Sequence, residues 1–328
     1  SVGISPKVLK NISGIVMLTA GTSHISSLVA RYWIEKIAKI PVACELASEY
    51  HYRDPVTNGF NTVIAISQSG ESLDTLKAMN YAAKKKLTTI ALVNVPDSTI
   101  ARNSDVILAT KAGPEIGVAS TKAFTAQLTV LISLAIAIAE AKNEITVDQS
   151  NELQRKIRLL PGLVGKTLDC FDVIKPIASG LKSASSALFL GRGYLFPIAL
   201  EGALKLKELS YIHAEGFAAG EMKHGPIALI EEGLPVIALL ANDNLMEKVI
   251  SNLKEAAARG ARIILIADER AAVEIDFAAE VVTVPAVDPL LAPILLTIPV
   301  QILAYLTALD KGTDIDQPRN LAKSVTVE

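Results

Sequence analysis

The fold is decided by the stretch Thr62-Val63-Ile64-Ala65-Ile66-Ser67-Gln68-Ser69-Gly70-Glu71-Ser72. An apolar run of strand length passes into a polar turn containing a glycine, and a helical pattern follows. Near-continuous apolar runs between helices are typical of strands in a parallel sheet that is covered on both faces. The polar turn is therefore predicted to lie at the carboxyl end of its strand, where α/β proteins bind ligands.

The same order of strand and helix recurs along the chain. Apolar runs occupy 15–20, 62–66, 89–93 and 106–109 in the first half, and 187–190, 235–240, 263–266 and 281–284 in the second. This alternation predicts an α/β protein with two repeats, each an αβα sandwich with a parallel sheet flanked by helices. We expect a first domain at 1–145, a helical connector at 146–176, a second domain at 177–312 and a C-terminal tail at 313–328.

Composition excludes several classes of protein. The 328 residues carry a formal charge of −2, which argues against broad nucleic-acid binding. Two cysteines, Cys44 and Cys170, exclude a disulfide-rich secreted scaffold and suit reduced thiols in the cytoplasm. The start of the sequence lacks signal-peptide features, and the apolar stretches 128–139 and 289–309 predict buried helices rather than membrane spans. The four histidines lack metal-ligand spacing, so no metal site is expected.

Hydroxyl groups cluster around Gly70 in the turn at 67–72. Backbone N–H groups and the helix dipole favour an anion at such a position, and hydroxyls donate to phosphate oxygens. Serine is also a favoured helix cap, and chemistry alone supports both interpretations equally. The stretch Gly21-Thr22-Ser23 occupies the same position one unit earlier, where a capping turn is the stronger interpretation. Neither stretch is a Walker loop or a GxGxxG fingerprint, so no nucleotide cofactor is indicated.

Three charged residues, Glu201, Lys205 and Glu208, share one face of a helix that is predicted to continue past Tyr211. The pattern alone favours a surface ladder of salt bridges. The alternative is a Lys–Glu pair in a cleft, with Glu208 as a base for proton transfer.

Two further residues could carry chemistry. His224 precedes Gly225-Pro226 in a predicted turn, where it is either a hydrogen-bonding residue or a group that titrates near neutrality. Lys323 is the last lysine of the tail. A surface lysine is the ordinary expectation, and a Schiff base with a sugar carbonyl is the alternative.

Taken together, these segments resemble the isomerase half of the glucosamine-6-phosphate synthase family over about residues 15–328. The matching blocks are 20–23, 67–71, 115–124, 190–193, 201–208, 211–215 and 223–226. The most specific block is the tail, Asp316-Gln317-Pro318-Arg319-Asn320-Leu321-Ala322-Lys323-Ser324-Val325-Thr326-Val327-Glu328.

The resemblance implies two tandem SIS (sugar isomerase) domains and a site for fructose 6-phosphate, with no cofactor. The phosphate ligands of the family fall on Ser23, Ser67, Gln68, Ser69 and Ser72. Contacts to the sugar fall on the backbone of Val118, the side chain of Ser120, and Ala322.

The resemblance also implies catalytic roles. Lys323 would condense with the C2 ketone, and Glu208 would move a proton between C1 and C2 with Lys205 beside it. His224 would assist ring opening from the neighbouring subunit of a homodimer. Glucosamine 6-phosphate would form with ammonia, and glucose 6-phosphate without it.

One departure from the family is large. Its complete members begin with a glutamine-hydrolysing domain that has a cysteine nucleophile, and nothing here matches that domain. We therefore expect an excised isomerase half that does not use glutamine. Two alternatives remain: a stand-alone SIS enzyme acting on a related amino-sugar phosphate, and a non-catalytic sugar-phosphate sensor. Block 115–124 and the tail argue against the first, and retention of both Glu208 and Lys323 argues against the second.

Overall fold

A computed structural model describes residues 3–273 and 275–326 of the chain. The chain divides into two compact units, one formed by Ser1–Ile157 with Ala322–Glu328 and the other by Arg158–Leu321. The first two residues of the predicted first domain lie outside the described residues, as do the last two residues of the predicted tail. The limits expected for domains, connector and tail stay a prediction.

Unit 1, the part of the chain up to 157 together with 322–328, contains a five-stranded parallel sheet in the order β2-β1-β3-β4-β5. The two strands β1 and β3 are buried along their whole length because their runs are continuously apolar or end in a small hydroxyl residue. The strands are β1 (Ile15–Thr19), β2 (Val42–Leu46), β3 (Thr62–Ser67), β4 (Thr88–Val93) and β5 (Val106–Ala109).

Helices connect these strands and cover the sheet. The long helices α2 and α6 pack against each other through buried apolar side chains. The helices are α1 (Pro6–Asn11), α2 (Gly21–Ala38), α3 (Ala47–Tyr50), α4 (Leu73–Lys84), α5 (Thr99–Arg102) and α6 (Lys122–Ala141). Helix α7 (Val147–Thr167) contains the boundary between the two units.

Unit 2, residues 158–321, repeats the design with a parallel sheet in the order β10-β9-β8-β6-β7. Its strands are β6 (Ser186–Gly191), β7 (His213–Ala218), β8 (Pro235–Leu240), β9 (Arg262–Asp268) and β10 (Glu280–Val284). Its helices are α8 (Phe171–Leu181), α9 (Leu195–Ser210), α10 (Met246–Ala257), α11 (Glu269–Ala272) and α12 (Ala292–Lys311). The α/β class with two parallel sheets flanked by helices is thereby confirmed.

Both sheets have the chain order 2-1-3-4-5 when the strands of each unit are counted from its own beginning. In this order the connections leave the first and third strands toward opposite faces, and a crevice opens between their carboxyl ends. In unit 1 these strands are β1 and β3, paired with Ile15 opposite Thr62 and Leu18 opposite Ala65. The hydroxyl turn after β3 and Ser23 after β1 therefore lie at the crevice edge.

Two details differ from the sequence prediction. Strands β2 and β7 lie at sheet edges and were not predicted, because neither has a continuous apolar run. Helix α9 ends at Ser210, whereas the helix was predicted to continue past Tyr211. Tyr211 takes a left-handed conformation with φ 60°, and its N–H donates to the Lys207 carbonyl, which closes the helix.

Among the described residues, α6 and α12 are long and apolar enough to cross a membrane by length and composition alone. Most of each apolar window is buried inside the protein, 61% for α6 and 78% for α12. Helix α6 packs on α2, and α12 packs on α8 and α9. Both helices are therefore accounted for as core elements.

Candidate active site

The hydroxyl turn of unit 1 is held in shape by its own side chains. The Ser67 Oγ lies 3.0 Å from the Ser72 Oγ and accepts the Gly70 N–H at 3.0 Å. The Ser69 Oγ accepts the Glu71 N–H at 3.2 Å. Ser72 is the N-cap residue of α4, yet its side chain makes no capping hydrogen bond. The hydroxyls are thus gathered around the turn, and Ser72 occupies the N-cap position without capping the helix through its side chain.

The neighbouring segment 94–100 braces this turn from outside. The Asn94 N–H donates to the Gln68 carbonyl at 3.1 Å, and the Ile100 N–H donates to the Gly70 carbonyl at 3.0 Å. Gly70 has φ 70°, and a Cβ added there would collide with the Ser98 hydroxyl. Only glycine fits this position, because both the backbone conformation and the available space exclude a side chain. Gln68 and Ser69 remain half-buried and open to a ligand.

Ser23 reaches the crevice from the first turn of α2. The N-cap of α2 is Ala20, so Ser23 is not a capping residue. Its Oγ accepts a hydrogen bond at 3.0 Å from the Nε2 of Gln127, a side chain of α6 that is only 2% exposed. A hydroxyl that accepts from a buried amide keeps its single proton for another acceptor. The arrangement suits donation to an anion in the crevice.

The tail lysine is anchored within unit 1. The Lys323 Nζ donates to Glu115 Oε2 at 2.8 Å and to the Gly117 carbonyl at 2.8 Å. The Glu115 side chain is 5% exposed and that of Lys323 is 27% exposed. Burial alone would raise the pKa of Glu115, but hydrogen bonds from Lys323, Thr121 and Ala123 outweigh it and lower that pKa. Lys323 is therefore not an ordinary surface lysine.

The predicted sugar-binding residues lie on the same two segments. Val118 and Ser120 follow Gly117 in the loop between β5 and α6, and Ala322 directly precedes Lys323. The tail also touches the start of α4, because the Leu73 N–H donates to the Val325 carbonyl at 3.2 Å. In unit 1 the tail therefore contacts both the 115–121 loop and the start of α4, the helix that follows the hydroxyl turn.

In unit 2, the charged face of α9 is buried. Lys205 is 1% exposed, and its Nζ lies 3.7 Å from a carboxylate oxygen of Glu201, which is fully buried. The same Nζ donates to Glu208 Oε2, and the Glu208 side chain retains 21% exposure. A surface ladder of salt bridges is excluded by this burial. Of these three residues, Glu208 is the one whose side chain is partly exposed.

His224 ends the short 3-10 helix Ala219–His224, and its side chain is exposed. Gly225 follows with φ 139°, which turns the chain at this point. The structure thus places His224 in the predicted turn of unit 2. Its proposed contact with a neighbouring subunit stays a prediction.

Sequence reasoning gave no role to three residues that shape the site: Glu115, Gln127 and Asn94. Gln127 had a signal, because it is the only amide in the apolar pattern of α6. The tail partner of Glu115 is 208 positions away, and Ala112, a partner of Asn94, is 18 positions away, so these contacts left no local pattern. No group of three or more potential metal-ligating side chains occurs within 3–273 and 275–326.

Comparison with known proteins identifies relatives over almost the whole chain. The model of the SIS domain matches residues 9–137 and 180–310. Glutamine–fructose-6-phosphate aminotransferase [isomerizing] of Zymomonas mobilis is 50% identical over 321 residues, or 98% of this chain and 53% of the relative. The protein of the same name from Agrobacterium fabrum is 49% identical, over 97% of this chain and 53% of its own length. The chain spans about half the length of these curated relatives.

Solved structures agree with this result. The C-terminal domain of glucosamine-fructose-6-phosphate aminotransferase from Francisella tularensis has a TM-score of 0.94 and 42% identity, over 95% of this chain and 88% of that one. Glucosamine-6-phosphate deaminase from Thermotoga maritima has a TM-score of 0.79 and 26% identity, over 97% and 92% of the two chains. The chain belongs to the SIS-domain family and, within it, to the group represented by the C-terminal domain of glucosamine-fructose-6-phosphate aminotransferase.

Proposed function

We propose that the chain is a sugar-phosphate isomerase that converts fructose 6-phosphate to glucosamine 6-phosphate with ammonia, and to glucose 6-phosphate without it. One observation carries this proposal above the others. The tail lysine Lys323 is held in the same unit as the hydroxyl turn, next to the loop that carries Val118 and Ser120. An amine beside an anion-binding turn is what covalent catalysis on a phosphorylated ketose requires.

In this proposal the crevice of unit 1 binds the phosphate group. Ser23, Ser67, Gln68, Ser69 and Ser72 supply hydroxyl and amide donors, and the N-terminus of α4 supplies a favourable dipole. The gathered hydroxyls at 67–72 and the Gln127–Ser23 hydrogen bond support this assignment. Fixing the phosphate would hold the reacting carbons in one position, where misplacement is costly.

Lys323 and Glu208 would then perform the chemistry. The lysine nitrogen attacks the C2 ketone of the open-chain sugar, and the oxygen leaves as water to give an iminium, which makes the C1–H bond more acidic. Glu208 takes the proton from one carbon and returns it to the other, which moves the carbonyl character from C2 to C1. The buried Lys205 would orient the Glu208 carboxylate through the hydrogen bond between them.

The proposal also covers the source of ammonia, the oligomeric state and the cellular compartment. Ammonia would enter from solution, or from the part of the curated relatives that this chain does not span. We further propose a homodimer in which His224 of one subunit assists ring opening in the other, and a cytoplasmic role in making amino sugars for UDP-N-acetylglucosamine. The turn at Gly225 and the exposure of His224 are compatible with a contact of this kind.

The test is an incubation with fructose 6-phosphate, with and without an ammonium salt, followed by assay of both hexose products. Glu208→Gln and Lys323→Ala are compared with the unchanged chain. We expect glucose 6-phosphate in the tube without ammonium, glucosamine 6-phosphate in the other, and loss of both in the variants. Tight binding of fructose 6-phosphate without turnover in either tube would instead identify a sensor.

A second candidate is a stand-alone enzyme that acts on a related amino-sugar phosphate. Its support is the likeness to the Thermotoga maritima glucosamine-6-phosphate deaminase, at 26% identity. The two candidates differ in the direction of the reaction: the first adds ammonia to fructose 6-phosphate, and the second releases ammonia from glucosamine 6-phosphate. Rapid release of ammonia from glucosamine 6-phosphate, with no amination of fructose 6-phosphate, would favour the second.

A further inference from the structure

The Glu115 carboxylate lies between the start of α6 and the tail. Its Oε1 accepts the N–H of Thr121, the N-cap residue of α6, at 2.8 Å and the N–H of Ala123, in the first turn, at 3.2 Å. Its Oε2 accepts the Lys323 Nζ at 2.8 Å. One buried carboxylate thus caps a core helix with one oxygen and holds the tail lysine with the other.

The loop that carries Glu115 is itself fixed. The Asn94 Oδ1 accepts the Ala112 N–H at 2.8 Å and the Thr110 hydroxyl at 3.0 Å. The Asn94 Nδ2 donates to the Gly113 carbonyl at 2.9 Å. The same residue holds the Gln68 carbonyl of the hydroxyl turn through its backbone N–H. The acceptors for Lys323 therefore stand in a defined position relative to that turn.

The lysine needs such a dock because its side chain is long and flexible. A free lysine side chain samples many rotamers, and fixing it in one of them costs side-chain entropy. Two acceptors, Glu115 Oε2 and the Gly117 carbonyl, hold the ammonium group from one segment. A further hydrogen bond holds the tail backbone two residues after Lys323, where the Val325 carbonyl accepts the Leu73 N–H. Together they fix both the tail backbone and the tip of the side chain.

We propose that Glu115 is the positioning residue for Lys323, docking the ammonium group beside the sugar-binding loop so that the amine meets the ketone. This inference rests on the Schiff-base role proposed for Lys323. The covalent step balances without Glu115: the C–N bond forms, the C2–O bond breaks, and the oxygen leaves as water with two protons from the ammonium group. Glu115 neither gains nor loses a proton overall, so its contribution is placement rather than chemistry.

The experiment measures Schiff-base formation and sugar binding separately in the full chain. Borohydride reduces the iminium to a stable amine, and mass spectrometry reports the rate at which Lys323 gains the sugar. Calorimetry gives the dissociation constant of fructose 6-phosphate. Glu115→Gln keeps an oxygen for the α6 N–H groups but loses the charge that holds Lys323. Glu140→Gln makes the same chemical change at the other end of α6, where the carboxylate accepts from the Ser150 hydroxyl.

We expect Glu115→Gln to trap sugar about tenfold more slowly, because a charge-assisted hydrogen bond is lost, while its dissociation constant stays within about twofold of the unchanged chain. Glu140→Gln should trap at the unchanged rate. Glu115→Asp keeps a negative charge at the start of α6 but withdraws it from Nζ by one methylene, and should slow trapping in the same way. This variant keeps the test available if Glu115→Gln does not fold.

The possible outcomes separate the two proposals. No trapping in the unchanged chain would remove the Schiff-base role, and the inference would fall with it. Trapping in the unchanged chain at a rate matched by both Glu115 variants would overturn the inference and leave the proposed function standing. A loss of sugar binding equal to the loss of trapping would also overturn it, since Glu115 would then shape the whole pocket.

Discussion

At the scale of single residues, the Ser67 hydroxyl shows how the turn is prepared for a ligand. Its Oγ accepts the Gly70 N–H and lies 3.0 Å from the Ser72 Oγ. A serine hydroxyl has one proton and two acceptor positions. One acceptor position is occupied by the turn, so the proton remains for Ser72 or for a bound anion. The turn is thus organised before a ligand arrives, which reduces the ordering cost of binding.

Gly70 is the position in the hydroxyl turn that leaves no space for a side chain. Gly70→Ala should abolish binding of fructose 6-phosphate in calorimetry, because the new Cβ collides with Ser98 and the φ of 70° disfavours a side chain. Gly233→Ala is the matched control in unit 2, with φ 82° and no atom within 4 Å of the added Cβ. The control should lose only about 1–2 kcal/mol of unfolding free energy from backbone strain and keep its binding. Equal binding by both variants would contradict this account of the turn.

A second residue-scale prediction concerns Gln127. Gln127→Leu should raise the dissociation constant of fructose 6-phosphate about threefold to tenfold, because the Ser23 hydroxyl loses the amide that orients it. Gln154→Leu removes the same kind of bond, from an amide to the Ser150 hydroxyl at 3.0 Å, outside the site. That control should bind with unchanged affinity. An unchanged dissociation constant for Gln127→Leu would mean that Ser23 does not contact the ligand.

At the scale of elements, the sequence predicted the central strands and two of the four edge strands, β5 and β10, and missed the other two. Strands such as β3 are covered on both faces, so their sequence is continuously apolar. Strand β2, with the sequence VACEL, and strand β7, with HAEGFA, are partly exposed and contain polar or small residues. An edge strand is specified largely by pairing with its neighbour, which short-range patterns do not encode. The end of α9 at Ser210 was missed because Tyr211 carries no glycine signal for its left-handed conformation.

Helix α9 gives a prediction about stability. Lys205→Met keeps the apolar stem but removes the cation beside the buried Glu201, at 3.7 Å, and beside Glu208. We expect a loss of about 3–5 kcal/mol in unfolding free energy, measured by urea titration, because the carboxylate loses its charged partner. Lys175→Met removes an exposed pair with Asp172 on α8 and should change stability by no more than about 0.5 kcal/mol. Similar urea midpoints for both variants would show that the buried pair contributes nothing.

At the scale of the whole molecule, both thiols are protected. Burial raises the pKa of Cys44 and of Cys170 from 9.0 to about 11. The neutral thiols are favoured in the folded chain, so their contribution to stability is present below pH 9 and is lost as the pH rises through about 11. At about pH 8, the folded chain should react with an aromatic disulfide reagent about 100-fold more slowly than the urea-unfolded chain. Fast reaction of the folded chain would show that a thiol is exposed, and Cys44→Ser would identify which one.

Less of the site than of the fold could be predicted from the sequence, because residues that meet in the site are far apart along the chain. The carboxylate and amine of Glu115 and Lys323 meet although 208 positions separate them, and 104 positions separate Ser23 from Gln127. Neither pairing follows from local periodicity, because each depends on how complete elements pack. The hydroxyl turn was predictable because its strand, glycine and hydroxyls are consecutive in the sequence.

The shared strand order of the two sheets bears on the ancestry of the chain. Two units with the order 2-1-3-4-5 in one polypeptide are the expected product of gene duplication and fusion. In the second copy, carboxylates hold the turn after β8: Asp243 Oδ1 accepts the Leu245 N–H at 2.8 Å, and Asp268 Oδ2, at the end of β9, accepts the Asn242 N–H at 3.2 Å. These carboxylates are acceptors and supply no donor to a phosphate, unlike the hydroxyls of the turn after β3. On the proposed assignment of the phosphate site, only one copy needs the hydroxyl turn, which leaves the other copy free to diverge toward the buried charges of α9.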